Sequence, residues 1–242
     1  GATDLDAASG RTDHGSDHPA ARSGTAVVAV APGEGLAHLF QHEGVGVVDV
    51  GIRGELPVEA VLDAVLATAA AEVVLLPNAE QAGQVSEQAA RQARALGVRV
   101  TVVPTRSPVQ GLAAVAVHDS TRAFDEDVVA MAESAAATRF AAVTTAESES
   151  LTTVGICQPG DVLGLIDGEV VEIGRGLVSV SFALIDRLLG VGAELMTLVV
   201  GRDAPAGVGE VLARHVTERA PLTDVTVYAG GQPRYPLIIG VE

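Results

Sequence analysis

The sequence predicts an α/β fold of two lobes, the first with a parallel sheet flanked by helices and the second with a mixed sheet that contains an antiparallel meander. Three observations lead to this prediction. Val-rich runs alternate with helix-length segments through the first half of the chain. Shorter apolar runs in the second half are separated by two turn signals, Pro159-Gly160-Asp161 and Asp167-Gly168. A last apolar run follows a loop with two glycines and two prolines, residues 230–236, which predicts a tight loop that leads into a buried strand.

The composition excludes several classes of function. Of the 242 residues, 48% are hydrophobic, which is enough for a core without disulfides or metals. There are 15 Lys and Arg against 31 Asp and Glu, a net charge of −16, so the chain would repel nucleic acid and gain nothing from an anionic membrane. No run reaches the roughly twenty apolar residues of a membrane span, and the start lacks the regions of a signal peptide. We therefore expect a cytoplasmic protein that binds no nucleic acid and has no transmembrane segment.

Residues 1–25 differ in composition from the rest of the chain. They hold Asp, Ser, Gly, Thr and His with hardly any large apolar side chain, so burial cannot offset the entropy of ordering them. We expect a disordered linker or tail here. The two lobes are predicted to occupy residues 26–137 and 138–242.

The first lobe is predicted from repeated strand and helix units. Continuous Val-rich runs are typical of strands buried on both faces of a parallel sheet, and they cover residues 26–31, 46–50, 73–76 and 98–103. Helix-length segments lie between and after them, at residues 33–43, 57–71, 79–96, 108–117 and 122–137. Alternation at this spacing predicts right-handed βαβ units.

The second lobe begins with the predicted meander. Its strands are expected at residues 140–145, 154–157, 162–166 and 169–173. The elements that complete the lobe are a helix at 177–189, a strand at 194–200, a helix at 205–219 and strands at 224–228 and 236–241. These elements predict a second α/β lobe, joined to the first without a long linker.

Candidate site residues lie in loops, because parallel sheets bind ligands at the carboxyl ends of their strands. The loop at residues 31–35 has Gly33 and Gly35 without a third glycine at the nucleotide-loop spacing, and we interpret it as a close strand-to-helix turn. The candidate ligand or partner contacts are Asn78, Thr105, Ser107, Gln110, Gly230, Gly231, Gln232, Arg234 and Tyr235. Two interpretations stay open: caps that satisfy buried backbone groups, or a remnant cleft or docking surface in which Arg234 and Tyr235 make the contacts.

Catalysis by this chain alone is not predicted. A nucleophilic triad needs Ser or Cys beside a base, and the sequence has no Gly-x-Ser-x-Gly elbow. The histidines on or near predicted helices are interpreted as surface or interface residues: His38, His42, His118 and His215. We expect no catalytic residue, no metal ligand and no cofactor in this chain.

Four motifs occur in the order of a known family. Residues 230–236, Gly-Gly-Gln-Pro-Arg-Tyr-Pro, followed by an apolar run and Val241-Glu242, resemble the C-terminal signature of the catalytic subunit of fatty acid kinase, a family also called the dihydroxyacetone kinase/phosphatase-domain family. The other three are Leu75-Leu76-Pro77-Asn78, the stretch at residues 103–111, and Gly160-Asp161 through Gly168 with Val170. Together the resemblance covers residues 26–242.

The resemblance implies a C-terminal, DegV-like domain of such a protein, from a bacterial lipid-metabolism system that serves phospholipid synthesis. The family's kinase domain resembles the dihydroxyacetone kinase nucleotide domain and carries a motif of the Gly-Asp-x-Gly-Asp type, which this chain lacks. ATP and Mg²⁺ are therefore implied only for that kinase domain. Residues 1–25 would be the hinge from the family's middle domain.

The DegV-like fold is also that of the family's fatty-acid-binding partner, which grips a carboxylate with a Ser/Thr-rich loop and a His-Thr-Gly-Pro loop. This chain has Pro77-Asn78-Ala79-Glu80 at the first place and Gly230-Gly231-Gln232-Pro233 at the second, without the histidine. The resemblance thus implies a non-catalytic binding or regulatory domain that engages the fatty-acid-binding protein or the remaining domains of its own full-length chain. The alternative is a fatty acid or small-molecule binding domain with a pocket between the lobes. Self-association as a homo-oligomer also stays open.

Overall fold

The computed structural model describes residues 22–50, 55–190 and 192–242. Most of the predicted linker therefore lies outside the described residues. Within them, the first lobe contains a parallel sheet whose strands are Thr25–Ala31 (β1), Gly46–Asp49 (β2), Glu72–Leu76 (β3) and Arg99–Val102 (β4). The order across this sheet is β2-β1-β3-β4. The Val-rich runs form these strands because both faces of the sheet are covered by helices.

Helices cover the two faces of this first sheet. They are Glu34–His42 (α1), Val58–Ala67 (α2), Ala82–Ala95 (α3), Pro108–Ala116 (α4) and Phe124–Ala137 (α5). One face packs against α2 and α3 through Val28, Val30 and Leu75. The other face packs, through Val27 and Leu76, against α1, α4 and α5. The alternating sides of β1 thus serve two separate cores, as the twofold period of a strand requires.

The second lobe contains a mixed sheet. Its described elements are Arg139–Thr145 (β5), Ser150–Thr152 (β6), Gly155–Cys157 (β7), Val162–Ile166 (β8), Glu169–Gly174 (β9), Leu177–Leu189 (α6), Leu195–Val200 (β10), Val208–Arg219 (α7), Asp224–Ala229 (β11) and Leu237–Val241 (β12). Six of the strands form a sheet in the order β11-β10-β12-β5-β8-β9. Only the β10–β11 pair among these described strands is parallel. The predicted α/β class, with one parallel and one mixed sheet, is confirmed.

The strand predicted at residues 154–157 does not join the meander. It becomes β7 and pairs with β6, a strand that the sequence did not predict, in a small separate hairpin. The meander consists of β5, β8 and β9. The hairpin is inserted between β5 and β8 and is tied to the sheet where the Thr153 hydroxyl donates to the Val170 carbonyl.

The two sheets are separated by one shared helical layer. Helices α1, α4 and α5 pack on the first sheet and also on the second, where Phe140, Ala142 and Ile238 belong to the same core cluster. Helices α6 and α7 cover the far side of the second sheet, against residues such as Leu198 and Ile239. The lobes are therefore joined by a continuous apolar core rather than by a linker.

Strand β12 occupies the centre of the second sheet. It runs antiparallel to β10 on one side and to β5 on the other, with Leu237 opposite both Val200 and Val143. All five of its residues are buried. The loop that precedes β12 is consequently fixed close to the carboxyl end of β10. Among the described residues, no helix is both long enough and apolar enough to cross a membrane.

Candidate functional site

Glycines from both lobes meet where α1 begins. The Leu36 N–H donates to the Gly230 carbonyl at 3.0 Å. A Cβ on Gly35 would lie 1.8 Å from the Ala229 oxygen, and a Cβ on Gly33 would lie 2.7 Å from the Gln232 nitrogen. The two glycines of the first turn are therefore needed so that the helix end can approach the backbone of the other lobe. This structural role supports the interpretation of residues 31–35 as a turn and explains why both glycines are present.

The loop before β12 is held by the end of β10. The Gly230 and Gly231 N–H groups both donate to the Val200 carbonyl, at 2.9 and 3.1 Å. Gly231 has a φ of 69°, which is in the left-handed region that glycine adopts without strain. The Gln232 side chain is buried, and its Nε2 donates to the carbonyls of Val199 at 2.9 Å and Tyr235 at 3.1 Å. Gln232 thus organises the loop from within.

Asn78 ties together three segments of the first lobe. Its N–H donates to the Thr105 hydroxyl at 2.9 Å, and its Nδ2 donates to the Val30 carbonyl at 2.9 Å. Its φ of 56° is left-handed, a conformation that Asn adopts more readily than most residues. Its Oδ1 has no hydrogen-bond partner among the described residues and faces Gly111, where an added Cβ would lie 2.1 Å away. The oxygen therefore rests against the Cα–H of Gly111, a weak contact that only glycine permits.

Gln110 and Ser107 lie at the start of α4. The Gln110 Oε1 accepts from the Arg106 N–H at 2.8 Å, and its Nε2 donates to the Thr138 carbonyl at 3.1 Å. Ser107 is the buried residue that precedes the helix. The neighbouring Arg106 reaches across to the second lobe, where its Nη2 donates to the Asp167 carbonyl at 2.8 Å. This loop therefore connects the lobes, and its polar side chains satisfy backbone groups.

A cavity of about 680 Å³ lies between the lobes, at the carboxyl ends of β1, β3 and β5. We call it the interlobe cavity. Its wall from the first lobe is largely apolar, and the residues that form it include Val30, Pro32, Val50, Leu56, Ala82 and Val85. Its wall from the second lobe is largely polar, and includes Thr144, Thr145, Glu147, Asp203, Gln232 and Arg234. The position agrees with the general location of ligands in open α/β sheets.

The nine predicted site residues fall into two groups. Three of them, Gln232, Arg234 and Tyr235, line the interlobe cavity. The other six belong to the loop and helix contacts described above: Asn78, Thr105, Ser107, Gln110, Gly230 and Gly231. A role of any of the nine in binding stays a prediction. Sequence reasoning missed the end of β5 and Asp203, although Thr144 and Thr145 follow an apolar run in the same way as the loops that were selected.

Two histidines that were interpreted as surface or interface residues make close contacts with carboxylates. His118 Nδ1 lies 2.6 Å from an oxygen of the buried Asp127, and His215 Nε2 lies 2.8 Å from Asp186. Both contacts join helices or their ends, and none of the four residues lines the interlobe cavity. In the described part of the chain, no group of three or more His, Cys, Asp or Glu side chains could hold a metal ion.

Asp119 is the acid beside His118. Its carboxylate accepts hydrogen bonds from the Thr121 hydroxyl at 2.6 Å and from the Thr121 N–H at 2.9 Å. These two bonds stabilise the charged form and lower the pKa of Asp119 below its ordinary value. The Asp119 side chain is partly exposed, and these two hydrogen bonds stay within its own turn.

Comparison with known proteins gives matches in sequence and in fold. A family model for the C-terminal part of FakA-like proteins, the A-like subunits of fatty acid kinase, matches residues 26–242. Uncharacterized proteins of Staphylococcus aureus strains USA300 and MRSA252 are each 26% identical to this chain over 219 residues, which is 90% of this chain and 39% of theirs. The chain thus spans about two fifths of the length of the curated relatives that it matches.

Several solved structures share the fold. A DegV family protein from Corynebacterium glutamicum aligns with a TM-score of 0.66 at 11% identity, over 90% of this chain and 96% of that protein. The Fatty Acid Kinase B3 protein of Streptococcus pneumoniae, solved with linoleic acid, aligns with a TM-score of 0.58 at 11% identity, over 90% of this chain and 99% of that protein. A DegV family protein from Thermus thermophilus, described as binding fatty acid, aligns with a TM-score of 0.61 at 14% identity, over 90% of this chain and 99% of that protein. The predicted DegV-like fold is confirmed by these alignments.

Proposed function

The chain belongs to the FakA-like C-terminal family of fatty acid kinase, and from this premise we propose that it is a non-catalytic binding domain that holds one long apolar chain in the interlobe cavity. The observation that carries the proposal is the cavity itself, about 680 Å³ with an apolar wall from the first lobe. This volume is within the range of ordinary ligand pockets, roughly 300 to 1,000 Å³. Two proteins of the same fold, from Streptococcus pneumoniae and Thermus thermophilus, were solved with or described as binding fatty acids, which supports an acyl chain as the ligand.

A single side chain can test occupation of the cavity. Ala79 lines the cavity from a loop and is partly exposed, so Ala79→Trp should fill part of the space without disturbing the core. Ala95→Trp is the matched control, because Ala95 is exposed at the end of α3 and does not line the cavity. We expect Nile red, an uncharged apolar dye, to fluoresce on the unmodified chain and on the control, and to bind at least about tenfold more weakly to Ala79→Trp. Equal binding by all three proteins would rule out the cavity as the binding site.

Docking to a protein is a second candidate function, and the β6–β7 hairpin favours it. Leu151 and Ile156 lie opposite each other in the hairpin, and they are 81% and 61% exposed. Adjacent exposed apolar side chains of this kind are typical of protein contact sites. We propose as partners the fatty-acid-binding protein of the kinase system or the remaining domains of the full-length protein. A homo-oligomer that uses the same hairpin is a further form of this proposal.

The docking proposal can be tested by titration calorimetry with the fatty-acid-binding protein from the same source. We expect Leu151→Ser and Ile156→Ser together to weaken binding by about 2 kcal/mol or more, because apolar anchors dominate such interfaces. Leu222→Ser is the control, since Leu222 is 97% exposed and lies between α7 and β11. If the hairpin variant binds as tightly as the control, the hairpin is not the docking site.

The remaining assignments are part of the same proposal. We place the chain in the cytoplasm and assign it no cofactor of its own. ATP and Mg²⁺ would act in a kinase domain of the full-length protein. Turnover of ATP by the isolated chain would contradict this division of roles.

A further inference from the structure

We propose that strand β11 pairs edge to edge with β11 of a second copy of this chain, so that the mixed sheets of two molecules join across a twofold axis. The inference goes beyond the proposed function, because β11 neither lines the interlobe cavity nor belongs to the β6–β7 hairpin. It is carried by the free backbone groups of β11, by the side chains that pairing places opposite each other, and by the protection of the other sheet edges.

The first step concerns the backbone groups at this edge of the second sheet. The Asp224 N–H donates to the Glu194 carbonyl at 2.9 Å, and Leu195 lies opposite Asp224 in the parallel β10–β11 pair. Because backbone groups alternate in direction along a strand, the N–H and C=O groups of Val225 and Val227 point away from β10. No described residue forms a backbone hydrogen bond with these four groups. Unpaired groups of this kind are a template for another strand.

The next outward residue, Ala229, fixes the register of the pairing. Its carbonyl oxygen faces Gly35 of α1, on which a Cβ would lie 1.8 Å from that oxygen. The start of α1 therefore limits the free edge to the residues before Ala229. Antiparallel pairing then satisfies all four outward groups of each copy when Val225 lies opposite Val227 of the second copy and Thr226 lies at the twofold axis.

The side chains are compatible in this register. Val225 and Val227 of the two copies form two apolar pairs, and Thr226 lies opposite its own counterpart, a Thr–Thr pair of the kind that stabilises sheets. Asp224 lies opposite Tyr228, so no like charges meet across the two strands.

The local charge also permits self-association. Residues 208–229, which form α7, the loop after it and β11, hold three acidic and two basic residues, a net charge of −1. The whole chain has a net charge of −16, so two copies repel each other overall. They can approach with less repulsion at the β11 edge, and physiological salt screens the more distant charges beyond about 8 Å.

The other described sheet edges are protected against such pairing. Strand β9, at the opposite edge of the second sheet, carries Glu169 and Glu172 and has an irregular register against β8. Strands β2 and β4, at the edges of the first sheet, are four residues long. Charged side chains, bulges and short strands block edge pairing, whereas β11 has six residues and Asp224 as its one charged side chain. Pairing of this edge with itself gives a closed dimer rather than a fibre.

Substitutions at the twofold axis test the register. In sedimentation velocity from about 1 to 300 µM, we expect the unmodified chain to dimerise as its concentration rises. Thr226→Lys and Thr226→Glu should each weaken the dimer at least about tenfold, because like charges then lie about 5 Å apart, and a 1:1 mixture of the two variants should restore it. Thr101→Lys is the matched control, since Thr101 is also half-buried and lies on β4, an edge strand of the first sheet. The control should dimerise like the unmodified chain.

Four results would overturn the inference. They are a chain that stays monomeric at every concentration, Thr226 variants that dimerise as tightly as the unmodified chain, a 1:1 mixture that forms no more dimer than either variant alone, and a dimer that is lost when Leu151→Ser and Ile156→Ser are combined in the hairpin. Nile red fluorescence is measured on the same samples and should not depend on dimerisation, so failure of the proposed function would be seen separately.

Hydrogen exchange gives a measurement that needs no variant. In peptides that cover residues 224–229, we expect the amides of Val225 and Val227 to be protected at about 300 µM and to lose this protection at about 1 µM, while exchange in β9 stays constant. Protection that is independent of concentration would overturn the inference. Protection that requires the added fatty-acid-binding protein, in a chain that is monomeric by itself, would assign the edge to that protein and would also overturn it.

Discussion

The contact between α1 and the loop before β12 predicts that Gly35→Ala separates the two lobes locally. The added methyl would lie 1.8 Å from the Ala229 oxygen and 2.8 Å from the Ala229 carbonyl carbon. Both neighbours are backbone atoms, so no side-chain rotation can relieve the clash. The start of α1 must therefore move away from the second lobe by more than about 1 Å.

The energetic cost has two parts. Forcing a methyl group into a close-packed contact costs about 1 to 3 kcal/mol. The same displacement stretches the hydrogen bond from the Leu36 N–H to the Gly230 carbonyl, now 3.0 Å, and loss of a buried hydrogen bond costs about 1 to 3 kcal/mol. We expect a total of about 2 to 6 kcal/mol, which corresponds to a decrease in Tm of roughly 4 to 24 °C for a chain of this length.

The assay is thermal unfolding followed by calorimetry, with Gly83→Ala as the matched control. Gly83 lies in α3, and outside the helix's own neighbouring backbone nothing lies within 4 Å of the Cβ that the substitution adds. The control should therefore gain up to about 1 kcal/mol, because alanine favours a helix more than glycine does. A Tm of Gly35→Ala within about 1 °C of the unmodified protein would refute the proposed role of the glycine contact.

Two further predictions concern the turn between α4 and α5. Asp127→Ala should destabilise the chain by about 2 to 4 kcal/mol in chemical denaturation, because the buried carboxylate binds His118 and accepts a hydrogen bond from the Asp119 N–H at 2.9 Å. As a control, Glu126→Ala, at an exposed position of the same helix, should change the free energy of unfolding by no more than about 0.5 kcal/mol. Equal destabilisation by the two variants would contradict the structural role of the Asp127 carboxylate. Thr121→Ala should raise the pKa of Asp119, measured by NMR titration, since the hydroxyl that lowers it is removed. The lowered pKa stabilises the fold at pH values above the unfolded pKa of about 3.9, and this contribution is lost as the pH falls through the folded pKa. An unchanged Asp119 titration would show that the hydroxyl is not the cause.

Local patterns were sufficient to predict most elements of the fold. The predicted bounds of α6 and β8 agree with the structure residue for residue. The strand β6 was missed because Ser150–Thr152 is short and follows a polar stretch that is typical of a loop. The separation of the β6–β7 hairpin from the meander depends on which strand pairs with which, and turn signals alone do not encode that choice.

The candidate site was predictable only where loops carried unusual residues. The crowding of glycine and proline around Gln232, Arg234 and Tyr235 indicated a loop that does line the cavity. The opposite wall could not be found in this way, because Val30 and Val85 look like ordinary core positions. The partnership of Gly35 with Gly230 is a contact between residues almost two hundred positions apart. It became visible only once both backbones were placed.

The central position of β12 has a consequence for the order of folding. Two parts of the second sheet are local in sequence: the β5-β8-β9 meander, and the β10–β11 pair joined through α7. Strand β12 is the element that hydrogen-bonds to both, and its contact of Leu237 with Val143 closes a loop of more than ninety residues, which costs about 4 kcal/mol in chain entropy. We expect the two halves to form early and β12 to insert between them in the slow step. In native-state hydrogen exchange, amides of β12 should open no later than those of β5 and β10, because reversal of this slow step releases β12 while the two halves are still formed.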